Sequence, residues 1–214
     1  PMMGHHLVLR LIEIFDLRNT TLLLAGPKNG VLMSVASIQA DKPSQGEPSI
    51  LLGPEEPGTH LLLQARHPLL ARQLAARAPD LSGRLALVGA EMVVPLVSQE
   101  RLVGVLLLGE KQDRLRQGFT AEELELLDLV AHHAAIVFEN ARLFESATYE
   151  SLTGLLRREA VLDLLDREHQ RADRHGRPLT IGMADLDHFK EINDRFGHLA
   201  GDKLLKRVAQ AISS

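Results

Sequence analysis

A chain of 214 residues with 45% hydrophobic side chains has the material for one large or two small packed domains, which excludes wholesale disorder. A formal charge of −4 and an aromatic content of 3% argue against a nucleic-acid surface. The lack of Cys excludes disulfides, thiolate zinc sites and thioether-linked cofactors. No apolar run reaches the roughly 18–20 residues that cross a bilayer, so no membrane segment is expected and the expected location is the cytoplasm.

Pro1 ahead of Met2 reads as an expression remnant, and His5 and His6 are given no role. Leu7, Leu11, Ile14 and Phe15 fall at helical spacing over residues 7–17. Two strand-like runs follow, TTLLLAG from Thr20 and GVLMSVASI from Gly30, joined by PKNG with Asn29-Gly30 as the hairpin signal. Residues 41–57 are rich in Pro, Gly, Ser and Glu and read as a loop around one short strand at 49–52. A helix is predicted over 59–66, stopped by His67-Pro68. Two nearly continuous apolar runs, 91–98 and 101–111, flank Gln99-Glu100 and predict a tight hairpin covered on both faces.

A long helix is then predicted from a specific start signal. Thr120 is the N-cap, Glu123 completes a capping box, and Phe119 with Leu124 can form the hydrophobic staple. No breaker comes before Gly154, so about 30 residues would span roughly 45 Å. The helix carries two apolar stripes. One holds Leu127, Ala131, Ala134, Phe138 and Ala141; the other holds Leu126, Val130, Val137 and Phe144. One stripe suffices to dock a helix on its own domain, so the second predicts a homodimer, the alternative being a helix buried within one domain.

Beyond it, a helix is predicted over about 158–174, with Gly176 and Pro178 as its stop, and then a strand over 178–184. The strand alternates so that both faces can be buried, and with no later strand in this sequence it is expected to pair with another copy. Asp185-Leu186-Asp187 falls at its end, where carboxylates suit a hard cation such as Mg²⁺. Phe189, Ile192 and Phe196 share a helical face, with Lys190, Asn193 and Asp194 elsewhere; Gly197 ends that helix, and Gly201-Asp202 opens the next. Alone, an acid pair is a common surface feature. With the rest of the set, Asp185 and Lys190 offer metal and phosphate chemistry. Asn193 and Asp202 can pair with a purine edge, and Asp202 can accept the two donors that guanine presents.

The order helix, hairpin, irregular middle, apolar hairpin, long capped helix resembles a GAF domain. The likeness is carried by VVPLVSQERLVGVLLLGEK and FTAEELELLDLVAHHAAIVFENARLFE, with Pro95, Gly104, Phe119, Asn140 and Ala141 among its residues. It implies an antiparallel sheet with helices on one side and a ligand pocket on the other, and a sensory or dimerising role. The ligand is unknown. The lack of Cys excludes a covalently attached bilin, and nothing matches the family's cyclic-nucleotide signature. Arg66, Arg72, Arg77 and Arg84 could hold an anion, although a solvated basic face is the better reading. His60 and His67 read as ordinary histidines rather than haem or metal ligands.

The later segment resembles the first half of a GGDEF domain, the diguanylate cyclase family. SLTGLLRR at 151–158, DLDHFKEIND at 185–194 and GHLAGDKLL at 197–205 stand in order at that family's spacing. The resemblance implies that Asp185 binds Mg²⁺ through its carboxylate and Leu186 through its carbonyl. Phe189 and Lys190 would lie against the triphosphate, with Lys190 the catalytic charge stabiliser, and Asn193, His198 and Asp202 would contact guanine and ribose. Glu150 stands where the family has Asp, and Arg157 where it has Asn. The Gly-Gly-Asp-Glu-Phe signature does not occur in the sequence. The expected organisation is therefore α+β: a GAF-like sensor domain over 1–145 with a closing helix at about 120–150, then a truncated α/β nucleotidyl-cyclase-like GGDEF segment over 150–214. The expected function is the sensory and dimerising region of a cyclase that makes cyclic di-GMP from two GTP, inactive as this fragment and with nothing bound to it. The alternative is a GAF ligand-binding and dimerisation module with a degenerate GGDEF domain.

Overall fold

In the computed structural model, residues 2–26, 29–39, 50–74, 76–113 and 118–213 are described. The first elements follow the apolar pattern in chain order. Helix α1 (Met2–Phe15) precedes strands β1 (Asn19–Ala25) and β2 (Leu32–Gln39), an antiparallel pair. α1 starts five residues before the predicted helix, because nothing ahead of Leu7 breaks it. Pro27 and Lys28 of the predicted turn lie outside the described residues. Gly30 takes the left-handed φ of 65° that the turn requires, and the Val31 N–H donates to Asn29 Oδ1 at 3.2 Å. Of the predicted loop and strand at 41–57, residues 41–49 lie outside the description; the strand seen is β3 (Leu51–Leu52), paired with β2.

Helix α2 (Pro57–Ala65) begins on a proline, whose missing N–H costs nothing at a first turn, and ends at Arg66 in the left-handed region. The stretch that follows holds elements that the sequence reading left unassigned: β4 (Leu69–Leu70), α3 (Ala71–Leu74) and α4 (Pro79–Leu87). Strands β5 (Met92–Ser98) and β6 (Arg101–Leu108) form the expected hairpin. Its turn residues Gln99 and Glu100 have φ of 46° and 64°, the two left-handed positions of a type I′ turn. The sheet is antiparallel and six-stranded, ordered β3-β2-β1-β6-β5-β4.

Side chains alternate across this sheet into two cores. On one face Leu22, Met92, Val94, Leu106 and Leu108 meet Val8, Leu11 and Phe15 of α1 and Leu127, Ala135 and Phe138 of the long helix α5 (Ala121–Thr148). On the other, Leu23, Val93, Val105 and Leu107 meet Leu62, Leu74, Leu81 and Leu85 from α2, α3 and α4. Helices thus cover both faces, not one as the resemblance implied, and the second face is packed with leucine. Parity along β6 breaks where the register skips Val103 opposite Leu96 and Val97, a bulge that strengthens local twist. Gly104 beside it is there for close approach: a Cβ would sit 2.6 Å from the Leu23 carbonyl oxygen.

The capping box of α5 forms reciprocally. Thr120 N–H donates to Glu123 Oε2 at 2.8 Å, and Glu123 N–H donates to Thr120 Oγ1 at 3.2 Å. Lys111 donates to both oxygens of Glu123 at 2.7 Å and lies 5.4 Å from the Phe119 ring centroid. The two stripes need correction. Leu127, Ala131, Ala134 and Phe138 are buried, but Ala141 is exposed, one turn past the end of the docking face. Val130, assigned to the outer stripe, is half-buried against the core. The apolar residues that do stand outward are Leu126, Leu129, Ile136, Val137, Leu143 and Phe144.

The chain divides into units Pro1–Ala141 and Arg142–Ser214. The second holds helices α6 (Arg158–His175), α7 (Phe189–Phe196) and α8 (His198–Ser213). Gly176 caps α6 in the left-handed region, and Arg177 N–H donates to the Ala172 carbonyl at 2.9 Å. The strand predicted over 178–184 does not form: that stretch is irregular, with Ile181 65% and Met183 fully exposed. Nor do helices shield these side chains. A strand needs a ladder partner, and no described segment pairs with this one. Among the described residues no helix is long and apolar enough to cross a membrane.

Candidate functional site

The segment 149–157 joins α5 to α6, and both departures from the resembling family sit in it. Glu150 Oε2 accepts from Leu152 N–H at 3.0 Å, Thr153 N–H at 2.7 Å and Thr153 Oγ1 at 2.8 Å. The Thr153 hydroxyl and these two amides, with nearby Arg157, hold the Glu150 carboxyl below its ordinary value. Arg157 donates from Nε to the Ser146 carbonyl at 2.8 Å and the Tyr149 carbonyl at 3.2 Å, and from its amide to the Thr148 carbonyl at 2.8 Å. These are carbonyls that a helix end leaves without intrahelical donors. The longer Glu and the charged Arg therefore still fasten both sides of the joint.

The predicted site residues are distributed along the next two helices. Asp185 is exposed and Leu186 half-buried, in the irregular chain before α7. His188, left-handed at φ 58°, turns the chain into α7 and its Nδ1 pairs with Glu191 Oε1 at 2.8 Å. Phe189 and Asn193 are half-buried and meet at Gly201 of α8; Lys190 is exposed. A Cβ on Gly201 would collide with Asn193 Oδ1 and lie 3.2 Å from Phe189 Cζ. Glycine thus lets α8 approach α7 closely, and Asn193 Oδ1 is buried with no hydrogen-bond partner among the described residues. His198 opens α8 exposed, and Asp202 is half-buried one residue past Gly201. The structure brings Phe189 and Asn193 together against Gly201; Asp185, Leu186, Lys190 and His198 are not joined to them by any hydrogen bond described. Gly201 as a packing partner of Asn193 was missed from sequence, where it read only as a helix opener.

The donor chemistry fits Mg²⁺ in part. The Asp185 carboxylate and the Leu186 carbonyl are hard oxygens, but one carboxylate with one carbonyl is a small share of an octahedral shell. Among the described residues no three His, Cys, Asp or Glu gather in position to hold a metal ion. The segment offers an incomplete metal site among the described residues.

In the first unit an open apolar groove of about 380 Å³ runs between α1 and α5, lined by Met3, Leu7, Leu129, Val130, Val137 and Phe138 with His133 and Ala134. Two of the four arginines considered for an anion face carboxylates instead: Arg84 pairs with Glu56 at 2.7 Å, and Arg66 with Glu100 at 3.8 Å.

Comparison with known proteins places two families on these units. The family model described as "GAF domain" matches residues 10–140, and that described as "Diguanylate cyclase, GGDEF domain" matches 147–214. Diguanylate cyclase A of Treponema denticola is 39% identical over 124 residues, 56% of this chain and 33% of that protein. Diguanylate cyclase DgcP of Pseudomonas aeruginosa is 35% identical over 122 residues, 53% of this chain and 18% of that protein. A cyclic di-GMP phosphodiesterase of the same organism, NbdA, is 37% identical over 105 residues, 49% of this chain and 13% of that protein. The chain therefore spans a third or less of these relatives. Among solved structures, the PixJ GAF domain of Thermosynechococcus elongatus superposes with a TM-score of 0.50 at 17% identity, covering 68% of this chain and 88% of that one. That level of identity speaks for the fold alone.

Proposed function

This chain belongs to the GAF domain family and carries a GGDEF segment behind that domain, and on that premise we propose that it is the sensory and dimerising region of a diguanylate cyclase. The supporting observation is the three motifs in order within a segment matched to the GGDEF family, 151–158, 185–194 and 197–205. The complete enzyme would condense two GTP, each 3′-hydroxyl attacking the other's α-phosphate with release of pyrophosphate. Lys190 would stabilise charge developing on the triphosphate, beside Phe189. Asn193, His198 and Asp202 would face guanine and ribose, Asp202 accepting N1–H and N2–H. Asp185 and the Leu186 carbonyl would supply part of the Mg²⁺ shell, the metal offering charge neutralisation when bound. Two active sites must meet, so the reading includes a homodimer through α5, whose outward apolar residues support it. The first domain takes a small molecule whose identity is left open, and the protein works in the cytoplasm.

The 214-residue chain itself is proposed to be inactive, because its sequence holds neither the Gly-Gly-Asp-Glu-Phe signature nor the second acidic ligand that goes with it. Incubated with GTP and Mg²⁺, it should give no cyclic di-GMP by chromatography; product above a protein-free control would overturn this. In a longer parent that makes cyclic di-GMP, Asp185→Ala should abolish turnover and leave the GAF unit folded, and retained activity would refute the metal role. A second reading is favoured by one observation: a relative named as a phosphodiesterase matches over 105 residues. In it the GGDEF segment is non-catalytic, and the parent would bind GTP without turning it over.

A further inference from the structure

We infer that residues 177–185 form a two-stranded antiparallel ribbon with the same residues of a second copy, centred on Ile181. The ribbon rests on the homodimer proposed above for the contact that brings two copies together, and adds a second seam to it.

The stretch is open in both backbone and side chain. Every residue from Arg177 to Asp185 is exposed, Ile181 at 65% and Met183 completely. From Pro178 to Ala184 no backbone N–H or C=O takes part in a hydrogen bond among the described residues. Water can satisfy such groups, so openness alone asks for no partner. The order of the side chains does. When the chain is extended, Leu179, Ile181 and Met183 share one face, and Thr180, Gly182 and Ala184 share the other. Seven uncharged residues bounded by one cation and one anion make a template for an added strand.

The occupant follows from symmetry and charge. A segment pairs with itself in antiparallel fashion when residues equidistant from its centre complement one another. About Ile181, Leu179 meets Met183 of the mate, Thr180 meets Gly182, Pro178 meets Ala184, and Arg177 meets Asp185. The apolar face then runs unbroken across both strands, and each end closes with an opposite-charge pair. Among the described residues neither the Arg177 guanidinium nor the Asp185 carboxylate is already paired. Other alignments fail on the same residues. Parallel in-register pairing sets Arg177 beside Arg177 and Asp185 beside Asp185, and like charges on adjoining strands destabilise. A slip of one residue puts Ile181 against Thr180 or Gly182. A slip of two puts Arg177 against Met183 or Asp185 against Leu179.

Pro178 fixes the phase of the hydrogen bonds. It has no N–H, so it fits only where the ladder asks for none. With Ile181 as a hydrogen-bonded pair, Leu179 with Met183 is the next such pair. Pro178 then falls at a non-hydrogen-bonded position, where its missing donor costs nothing. A two-stranded ribbon of this length is marginal in water by itself. It forms once another contact holds two copies together and raises their effective concentration, which is the part α5 plays.

The sequence holds no Cys, so an introduced thiol reports alone. Ile181→Cys, Leu179→Cys and Met183→Cys are prepared in the full 214-residue chain, with Asp166→Cys on α6 as the control. All four positions are exposed, so no core is opened, and circular dichroism checks folding. The Cα atoms of a hydrogen-bonded antiparallel pair lie about 5.5 Å apart, within disulfide reach. The two copies of residue 179 would lie about 13 Å apart, beyond it. Under mild oxidation Ile181→Cys should form mostly covalent dimer on its own. Leu179→Cys and Met183→Cys should crosslink only after the two are mixed and exchange subunits, and the control not at all. Crosslinking of Leu179→Cys with itself would mean another alignment and overturn the assignment. Light scattering separates the two readings. A dimer in which none of the three positions crosslinks removes the ribbon and leaves the homodimer; a monomeric parent chain removes both. Arg177→Asp should lower Ile181→Cys crosslinking about tenfold, and Asp185→Arg added to it should restore the yield. A yield unmoved by the first change would remove the end pairs from the register.

Discussion

At the scale of single residues, Glu150 shows how one carboxylate can organise a joint. Three donors converge on one of its oxygens, and each prefers the ionised form. A carboxyl held below its ordinary value contributes stability that is complete above that value and is lost as pH falls through the lowered one. The joint should therefore be unaffected by pH down to the ordinary 4.5 and loosen only below it. Following the amide shifts of Leu152 and Thr153 by NMR gives the midpoint, and a transition at or above 4.5 would contradict the bonding described. Asn193 makes the complementary point. Its place in a motif was readable, but the burial of Oδ1 against Gly201 depends on how two helices approach, which spacing does not encode.

At the scale of elements, the start of α5 can be ranked by magnitude. Replacing a side-chain N-cap costs about 1 kcal/mol, the expected effect of Thr120→Ala. Lys111 is more heavily committed: its side chain is 7% exposed and it donates to both Glu123 oxygens. Lys111→Met should cost about 2 kcal/mol, the range for hydrogen bonds to charged groups. The Arg10–Glu13 pair, with side chains 75% and 61% exposed, is a comparison that should barely register, so Arg10→Ala should fall within about 0.5 kcal/mol of the parent. Urea unfolding followed by circular dichroism measures all three, and any other order would mean that burial does not govern these contacts. The same contrast explains what the sequence made legible. The capping box and the β5–β6 hairpin rest on residues close in sequence, and both were readable. Helix α4 was not, since it spans nine residues with Gly83 inside and shows barely two turns of period. Residues 178–184 carry a strand's alternation, yet strand formation is settled by a neighbour, and a sequence window contains none.

At the scale of the whole molecule, α5 is the element on which the proposed activity turns, because a condensation of two nucleotides requires two copies. Ile136 stands outward at 40% exposure, so a charge there disturbs no packing within the chain. Ile136→Glu should convert dimers to monomers by light scattering while the unfolding transition of the first unit stays cooperative. A dimer that survives this change would move the interface away from α5. The leucine-filled second face of the sheet bears on the same question, for any ligand entering there must displace side chains such as Leu62 and Leu81 that already hold α2 and α4 in place.

The β5–β6 turn has a consequence of a different kind. Gln99 and Glu100 both hold a backbone conformation that side chains with a Cβ resist at about 1–2 kcal/mol each. The contact that Glu100 gains, 3.8 Å from Arg66 with both groups largely exposed, returns little of it. Asn at 99, whose short polar side chain tolerates the left-handed region, and Gly at 100, which has no Cβ, would suit the same turn with less resistance. The double change Gln99→Asn, Glu100→Gly should raise the midpoint of thermal unfolding, and no rise would show the turn to be unstrained. It touches neither the stripe nor the nucleotide segment. It is thus a general suppressor, a background in which otherwise unfoldable variants of α5 could be purified and assayed.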